Sequence, residues 1–343
     1  MIGKSDIPLP EYKPKDFATD QDIRWCPGCG DYAILTAVRK TLPKLQTRKE
    51  DYVFVSGIGC AARFPYYMET YGMHSIHGRA PAFATGIKLA NPKLDVWLVS
   101  GDGDLLSIGG NHTMHTMRRN VDINILLLNN RIYGLTKGQY SPTSEFGKKT
   151  KSTPMGSPDY PINPLTFAVG SGCTFIARTI DIDVKHLEAV MLRAAGHRGT
   201  AFIEVYQDCN IYNHQVWFYA SKKQGRLENT VACEHGKPLI FGPDRNKGLR
   251  MSGTHLEVVE IGNGISESDI LVHDETDQCL AFLLSQLTYP DFPEPIGVIY
   301  SGESRMPYEQ VVVAQVREAI EAKGRGDLKA LLNEGETWVV DDD

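Results

Sequence analysis

Between residue 96 and Asn130 the chain places a carboxylate, an amide and a glycine turn where two strands should end. An apolar run at 96–99 stops at Gly101-Asp102-Gly103-Asp104, and a helical pattern follows from about 105 to 119. A second apolar run at 123–128 stops at Asn129-Asn130. A strand, a crossover helix and a strand of this length let the two strands lie parallel and adjacent. Both polar clusters then fall at carboxyl ends of neighbouring strands, where open α/β sheets bind ligands. There Asp102 and Asn130 can converge on one cation, and Gly101 and Gly103 let backbone N–H groups approach an anion closely. The chemistry these groups suit is a magnesium diphosphate site. Asp104 either joins that site or only caps the helix that follows.

Cysteines form the second constellation. Trp25-Cys26-Pro27-Gly28-Cys29 is a C-x₂-C loop, Cys60 follows a predicted strand and Cys209 lies just beyond another. Thiolates at strand ends can meet in space, and four of them suit a 4Fe–4S cluster or a tetrahedral zinc site. Cys233, in VACEHGKP, competes for the fourth position, whereas Cys173 and Cys279 read as small core residues. A thioredoxin-like reading of WCPGC fails on the order of proline and glycine and on the pattern that follows.

The rest of the chain must hold these groups in place. Its 343 residues suffice for one large α/β domain with an appendage. A net charge of −6 argues against a dedicated nucleic-acid surface. No apolar run is long enough to span a membrane, and the polar, proline-rich N-terminus is not a signal peptide. Seven cysteines without an export signal read as reduced thiols or metal ligands, and the chain reads as cytoplasmic. The pattern predicts an extended arm over 1–22 and an α/β domain over 23–220. Within that domain it predicts helices at 31–41, 82–89 and 184–195, and further strands at 52–56, 174–177 and 201–205. Residues 132–161, rich in Gly, Ser, Thr, Pro and Lys, read as a long functional loop. Beyond 220 the alternation weakens, so 221–343 is expected to be a turn-rich tail, with one helix near 280–287, wrapping the domain or a partner.

Gly101-Asp102-Gly103 followed by Asn129-Asn130 resembles the thiamine diphosphate motif. That resemblance implies Mg²⁺ held by Asp102, the Asn130 side chain and the Ile132 backbone carbonyl. WCPGCGDY, GIGC, HSIHGRAPAFATGIKLA, GDGDLLSIGGNH and NNRIYGLTKGQ occur in the order seen in β subunits of 2-oxoacid:ferredoxin oxidoreductases. The similarity covers roughly residues 20–215, and EHGKPLIFG with the longer tail resembles the 2-oxoglutarate branch.

The family implies a thiamine-diphosphate-binding α/β fold, a mostly parallel sheet with helices on both faces, plus an irregular C-terminal tail. It implies one 4Fe–4S cluster on Cys26, Cys29, Cys60 and Cys209, which favours Cys209 over Cys233. Around the cofactor it implies Ser56, Gly57, Ile58, Gly59, Cys60, His77, Gly78, Gly101, Asp102, Gly103, Asp104, Asn130, Leu135 and Thr136. His74, His77 and Lys137 are candidate catalytic groups. The implied reaction converts 2-oxoglutarate, CoA and oxidised ferredoxin to succinyl-CoA, CO₂ and reduced ferredoxin, or the reverse. Pyruvate is the rival substrate; a cluster-free thiamine enzyme component and a zinc-bearing scaffold are the rival classes. The chain has one diphosphate-binding module and no second module of similar size. The glutamate that thiamine enzymes place against the aminopyrimidine is therefore expected on an α subunit, in an α₂β₂ assembly.

Overall fold

The structure is a computed structural model and describes residues 10–303 and 305–340. The first nine residues of the expected arm and the acidic end at 341–343 lie outside the described residues. In chain order the first elements are α1 (Asp31–Thr41), β1 (Tyr52–Ser56), β2 (Tyr71–His74), α2 (Ala80–Ala90), β3 (Asp95–Gly101), α3 (Gly110–Arg119) and β4 (Asn124–Asn129). Next come α4 (Pro164–Gly170), β5 (Phe175–Ile180), α5 (Val184–Ala195) and β6 (Ala201–Tyr206). The C-terminal part adds α6 (Phe218–Ser221), α7 (Lys223–Asn229), β7 (Thr230–Cys233), β8 (Ile240–Phe241), β9 (Lys247–Ser252) and β10 (His255–Glu260). It closes with α8 (Gln278–Ser285), β11 (Glu294–Ser301), α9 (Tyr308–Lys323) and α10 (Leu328–Leu332).

Eight strands form one sheet in the order β2-β1-β3-β4-β6-β5-β11-β7. All neighbours are parallel except β11 against β5. The central strands are apolar on both faces, as a sheet covered by helices on each side requires. Val96, Leu98, Ile125 and Leu127 point into one core with Ala80, Ala84, Met117 and Leu165 of the helices. Trp97, Val99, Leu126 and Leu128, the alternate residues, point into the other with Ile34, Val38, Leu187 and Met191. Because the side-chain period is two, this packing fixes the register of β3 against β4 and brings Gly101 level with Leu128.

Two expectations are corrected. The helix expected from about 105 to 119 is broken: residues 104–108 form a π-turn, and Ser107 leaves helical geometry (φ −85°, ψ −106°) before α3 begins. Thr113 Oγ1 reaches the carbonyls of Leu105 and Gly109 across that break, each at 3.0 Å. Nor is 221–343 an irregular tail. β7 and β11 extend the main sheet, and β8, β9 and β10 form a separate antiparallel sheet. β9 and β10 are joined by a two-residue turn at Gly253-Thr254, where Gly253 takes φ +61°, a hairpin signal legible in the sequence. The helix expected near 280–287 is α8. Among the described residues no helix is long and apolar enough to cross a membrane.

Candidate active site

The ends of β1, β3 and β4 meet in a cavity of about 560 Å³. Its walls include Ile58, Gly59, Cys60, His77, Gly101, Asp102, Gly103, Asp104, Asn130, Ile132, Leu135 and Thr136. Of the other expected residues, Ser56 is fully buried and spends its hydroxyl on the Ala62 carbonyl (2.7 Å). Gly57 and Gly78 pack behind the cavity. His74 lies in a neighbouring depression with Arg63 and Tyr66, and Lys137 in another with Lys148 and Tyr212. His77, not His74, is the histidine of the cavity.

Asp104 is the hub of this site and caps no helix. Its buried Oδ1 accepts from Ile58 N (3.0 Å), Gly78 N (2.7 Å) and His77 Nδ1 (2.7 Å). Its Oδ2 accepts from Ser100 Oγ at 2.6 Å. One carboxylate thus ties the loop after β1, the loop after β2 and the end of β3 to each other. The glycines explain the close approach. A Cβ at Gly57 would lie 2.0 Å from Asp104 Oδ2, and one at Gly78 would lie 2.6 Å from Gly109 N. At Gly103 a Cβ would strike the Tyr133 ring at 2.3 Å, and Tyr133 donates its hydroxyl to the Gly103 carbonyl (2.8 Å).

Asp102 is held from the long loop rather than from the sheet. Thr143 Oγ1 donates to Asp102 Oδ2 (2.6 Å) and sits 3.0 Å from Asn129 Oδ1. Burial pushes the Asp102 carboxyl above its ordinary range, against hydrogen bonds from Ser141 and Thr143 that lower it. A buried carboxylate of this kind is relieved by a cation. Asn130 is oriented by Gln207, whose Oε1 accepts from Asn130 Nδ2 at 2.7 Å. Asn213 donates to the Asn130 carbonyl at 2.9 Å. The donor set of Asp102, Asn130 and Ile132 on one wall fits a hard dication.

The cysteines gather on the adjoining side. A Cβ at Gly134 would lie 3.6 Å from both Cys60 and Cys209 Sγ, so these thiols flank one turn. Cys60 and Cys209 lie near enough to Cys29, and Cys26 to Cys60, for a charge on one to raise the next thiol. The C-x₂-C loop is pinned by Gly30 N donating to the Asp208 carbonyl (3.1 Å) and Trp25 Nε1 donating to the Cys60 carbonyl (2.8 Å). Burial raises the Cys29 and Cys209 thiols and pushes Cys60 up to about 12. Free thiols here would be neutral, and a metal must displace their protons to bind. Gln207 Nε2 also donates to Cys29 Sγ at 3.2 Å, an N–H···S contact of the sort that tunes iron–sulfur thiolates. Among the described residues no three His, Cys, Asp or Glu side chains close around a point as a single ion requires. Four thiols of this chemistry suit a 4Fe–4S cluster or a tetrahedral metal once their protons are displaced.

The other cysteines stand apart. Cys233 is buried in β7 at the far edge of the sheet and Cys173 in the core. Cys279 is exposed on α8, not the core residue expected.

Several further residues of the site were not singled out by sequence reasoning, although Asp31, Tyr133 and Gln139 lie within WCPGCGDY and NNRIYGLTKGQ. Asp31, Tyr133, Gln139 and Tyr140 line the cavity; Thr143, Gln207 and Asn213 orient its ligand residues. Beneath it runs a buried ionic chain. Asn129 Nδ2 donates to Glu204 Oε1 (2.7 Å), Arg178 Nε to Glu204 Oε2 (2.7 Å), and Arg178 Nη1 to Glu294 Oε2 (3.2 Å). Glu294 also accepts from the hydroxyls of Tyr206 and Tyr219.

Comparison with known proteins follows the same lines. Residues 57–205 match the family model for the C-terminal TPP binding domain of thiamine pyrophosphate enzymes. The chain is 50% identical over 333 residues to 2-oxoglutarate oxidoreductase subunit KorB of Mycobacterium tuberculosis, covering 96% of this chain and 89% of that one. It is 49% identical over 225 residues to the β subunit of 2-oxoacid:ferredoxin oxidoreductase 1 of Aeropyrum pernix, covering 65% and 70%. Among solved structures, it resembles a chain of the 2-oxoglutarate:ferredoxin oxidoreductase of Magnetococcus marinus with 2-oxoglutarate, coenzyme A and succinyl-CoA bound. The TM-score is 0.75 at 31% identity, over 96% of this chain and 98% of that one.

Proposed function

Because the chain belongs to the family of 2-oxoacid:ferredoxin oxidoreductase β subunits, in its 2-oxoglutarate branch, we propose that its cavity is the diphosphate half of an active site shared with an α subunit. There 2-oxoglutarate and CoA would be converted to succinyl-CoA and CO₂, and Cys26, Cys29, Cys60 and Cys209 would hold a 4Fe–4S cluster that supplies the electron path to ferredoxin. The observation that carries this reading is the meeting of Asp102, Asn130 and Ile132 in one cavity with Cys60, beside Cys209. Thiamine diphosphate, when bound, supplies the nucleophile for the keto carbon and the sink for the electrons left by CO₂.

The chain's own residues supply position and charge. Asp102, the Asn130 side chain and the Ile132 carbonyl would hold Mg²⁺ on the diphosphate. Asp104 Oδ1 accepts a hydrogen bond from His77 Nδ1–H, which leaves His77 Nε2 free to accept or return a proton in the cavity. Gln207, touching both Asn130 and Cys29, ties the magnesium end to the cluster end. The α subunit would bring the aminopyrimidine glutamate, in an α₂β₂ assembly.

Two measurements test this. The isolated chain, given thiamine diphosphate, Mg²⁺, CoA and 2-oxoglutarate, is expected to reduce no dye. Adding the α subunit should restore turnover, with kcat/KM higher for 2-oxoglutarate than for pyruvate or 2-oxobutyrate. Robust turnover by the chain alone would refute the shared site. Independently, Cys209→Ser should lose iron from anaerobically purified protein, and Cys233→Ser should keep it. Zinc in place of iron in the unsubstituted protein would return the scaffold reading.

A further inference from the structure

We propose that the lysine-rich depression beside Cys209 is the docking face for the acidic, one-electron carrier protein, an inference that rests on the cluster assignment above. Lys137, Lys148, Lys149 and Lys151 surround a depression of about 440 Å³ whose floor includes Ile211 and Tyr212. Ile211 and Tyr212 follow Cys209 by two and three positions, and both are exposed. Gly138, at φ +102°, turns the loop closely over Tyr212: a Cβ there would lie 3.1 Å from Tyr212 Cδ1.

The charge is concentrated and largely uncompensated. Lys148 bonds Asn213 Oδ1 (2.6 Å) and Glu145 (3.2 Å), so it belongs to the framework that holds Asn130. Among the described residues, Lys137, Lys149 and Lys151 make no ion pair, and all three side chains are exposed. This occurs in a chain whose net charge is −6, so the cluster of lysines runs against the sign of the chain as a whole. A small apolar floor with a charged rim, two and three residues beyond a thiol assigned to the cluster, is the form a brief electron-transfer encounter needs. Such interfaces are small, and opposite charge speeds and orients the encounter more than it tightens it. The spread of the charges favours a protein surface over a single phosphate group. Each encounter would carry one electron from the cluster these thiols would hold to the oxidised carrier with no atoms transferred, so two encounters would clear the two electrons of one 2-oxoacid.

The test uses the α–β complex carrying Lys149→Glu with Lys151→Glu, and the neutral pair Lys149→Gln with Lys151→Gln. Neither residue belongs to the cavity. At low ionic strength the glutamate pair should raise the KM for ferredoxin by about tenfold or more, and the glutamine pair by less. The fall of the ferredoxin rate with added salt should flatten in both. Methyl viologen reduction, iron content and the KM for CoA should stay unchanged. Unaltered ferredoxin kinetics would overturn the proposal. A raised KM for CoA with unchanged ferredoxin kinetics would overturn it too, by making the depression a site for the CoA phosphates. Absence of iron from the unsubstituted complex would overturn the cluster assignment beneath it, and separates that failure from a failure of docking.

Discussion

Asp102→Asn is expected to remove cofactor binding and turnover from the α–β complex while leaving the cofactor-free protein at least as resistant to urea. Asp102 is almost fully buried, and its charge is met only by neutral hydroxyl and backbone donors. Burying a carboxylate without a cation is unfavourable, and burial accordingly raises its pKa. Asparagine keeps the shape and can still bond Thr143, yet it carries no charge to desolvate. The same exchange would take the one anionic protein ligand from the proposed magnesium site. Loss of an outer partner weakens a metal site roughly 10–100-fold, and loss of this inner one should exceed that. Titration with thiamine diphosphate at fixed Mg²⁺ checks the first half, and urea unfolding of the cofactor-free protein checks the second. A lowered urea midpoint together with retained binding would mean that Asp102 is a framework residue and the metal lies elsewhere.

Arg178→Met should be the most destabilising single substitution near the site. The guanidinium is buried between Glu204 and Glu294, all three nearly inaccessible. Taking away one member of a buried ionic set leaves the others uncompensated, at a cost of about 3–5 kcal/mol. Replacing Arg178 with Met, and Glu204 and Glu294 with Leu, all three together, should recover much of that stability, because well-packed apolar groups often serve a core as well. The triple variant separates packing from positioning. Glu204 is the acceptor that holds Asn129, and Asn129 sits against Thr143 beside Asp102. The refolded triple variant should therefore bind Mg²⁺ and thiamine diphosphate about tenfold more weakly. Unimpaired binding would show that the ionic chain supports the fold and nothing more. Since Glu294 lies on β11, the C-terminal part of the chain, expected to wrap the domain or a partner, reaches beneath the cavity.

Much of the domain's core was legible because its signals are local. Strands buried on both faces are unbroken apolar runs, so 52–56 coincides with β1 and 201–205 falls within β6. Amphipathic helices repeat every three to four residues, so 31–41 and 184–195 coincide with α1 and α5. β2 escaped because all four of its residues are exposed at the sheet edge, with no apolar run to mark it. The break at Ser107 escaped because a π-turn keeps a helical pattern of apolar residues on either side. β7 and β11 escaped because they are separated by a second small sheet and join the main sheet across a long stretch of chain, which no periodicity records.

The candidate site divides along the same line. The sequence by itself determined which groups stand at strand ends, the Gly101–Asp104 turn, Asn129-Asn130 and the thiols of Cys60 and Cys209, and which stand on the loop before α1, Cys26 and Cys29. Those groups carry recognisable chemistry in short windows, and parallel topology brings strand ends together on one edge. Only the tertiary structure decided that Asp104 is a clamp and not a cap, that His77 faces the cavity while His74 does not, and that Thr143, Gln207 and Asn213 hold the ligand residues. It also decided that Glu294 reaches the site's foundation. The physical reason is that a buried polar atom must find its partner wherever the packed chain delivers one. Such partners are chosen by proximity after folding, and sequence spacing does not encode them.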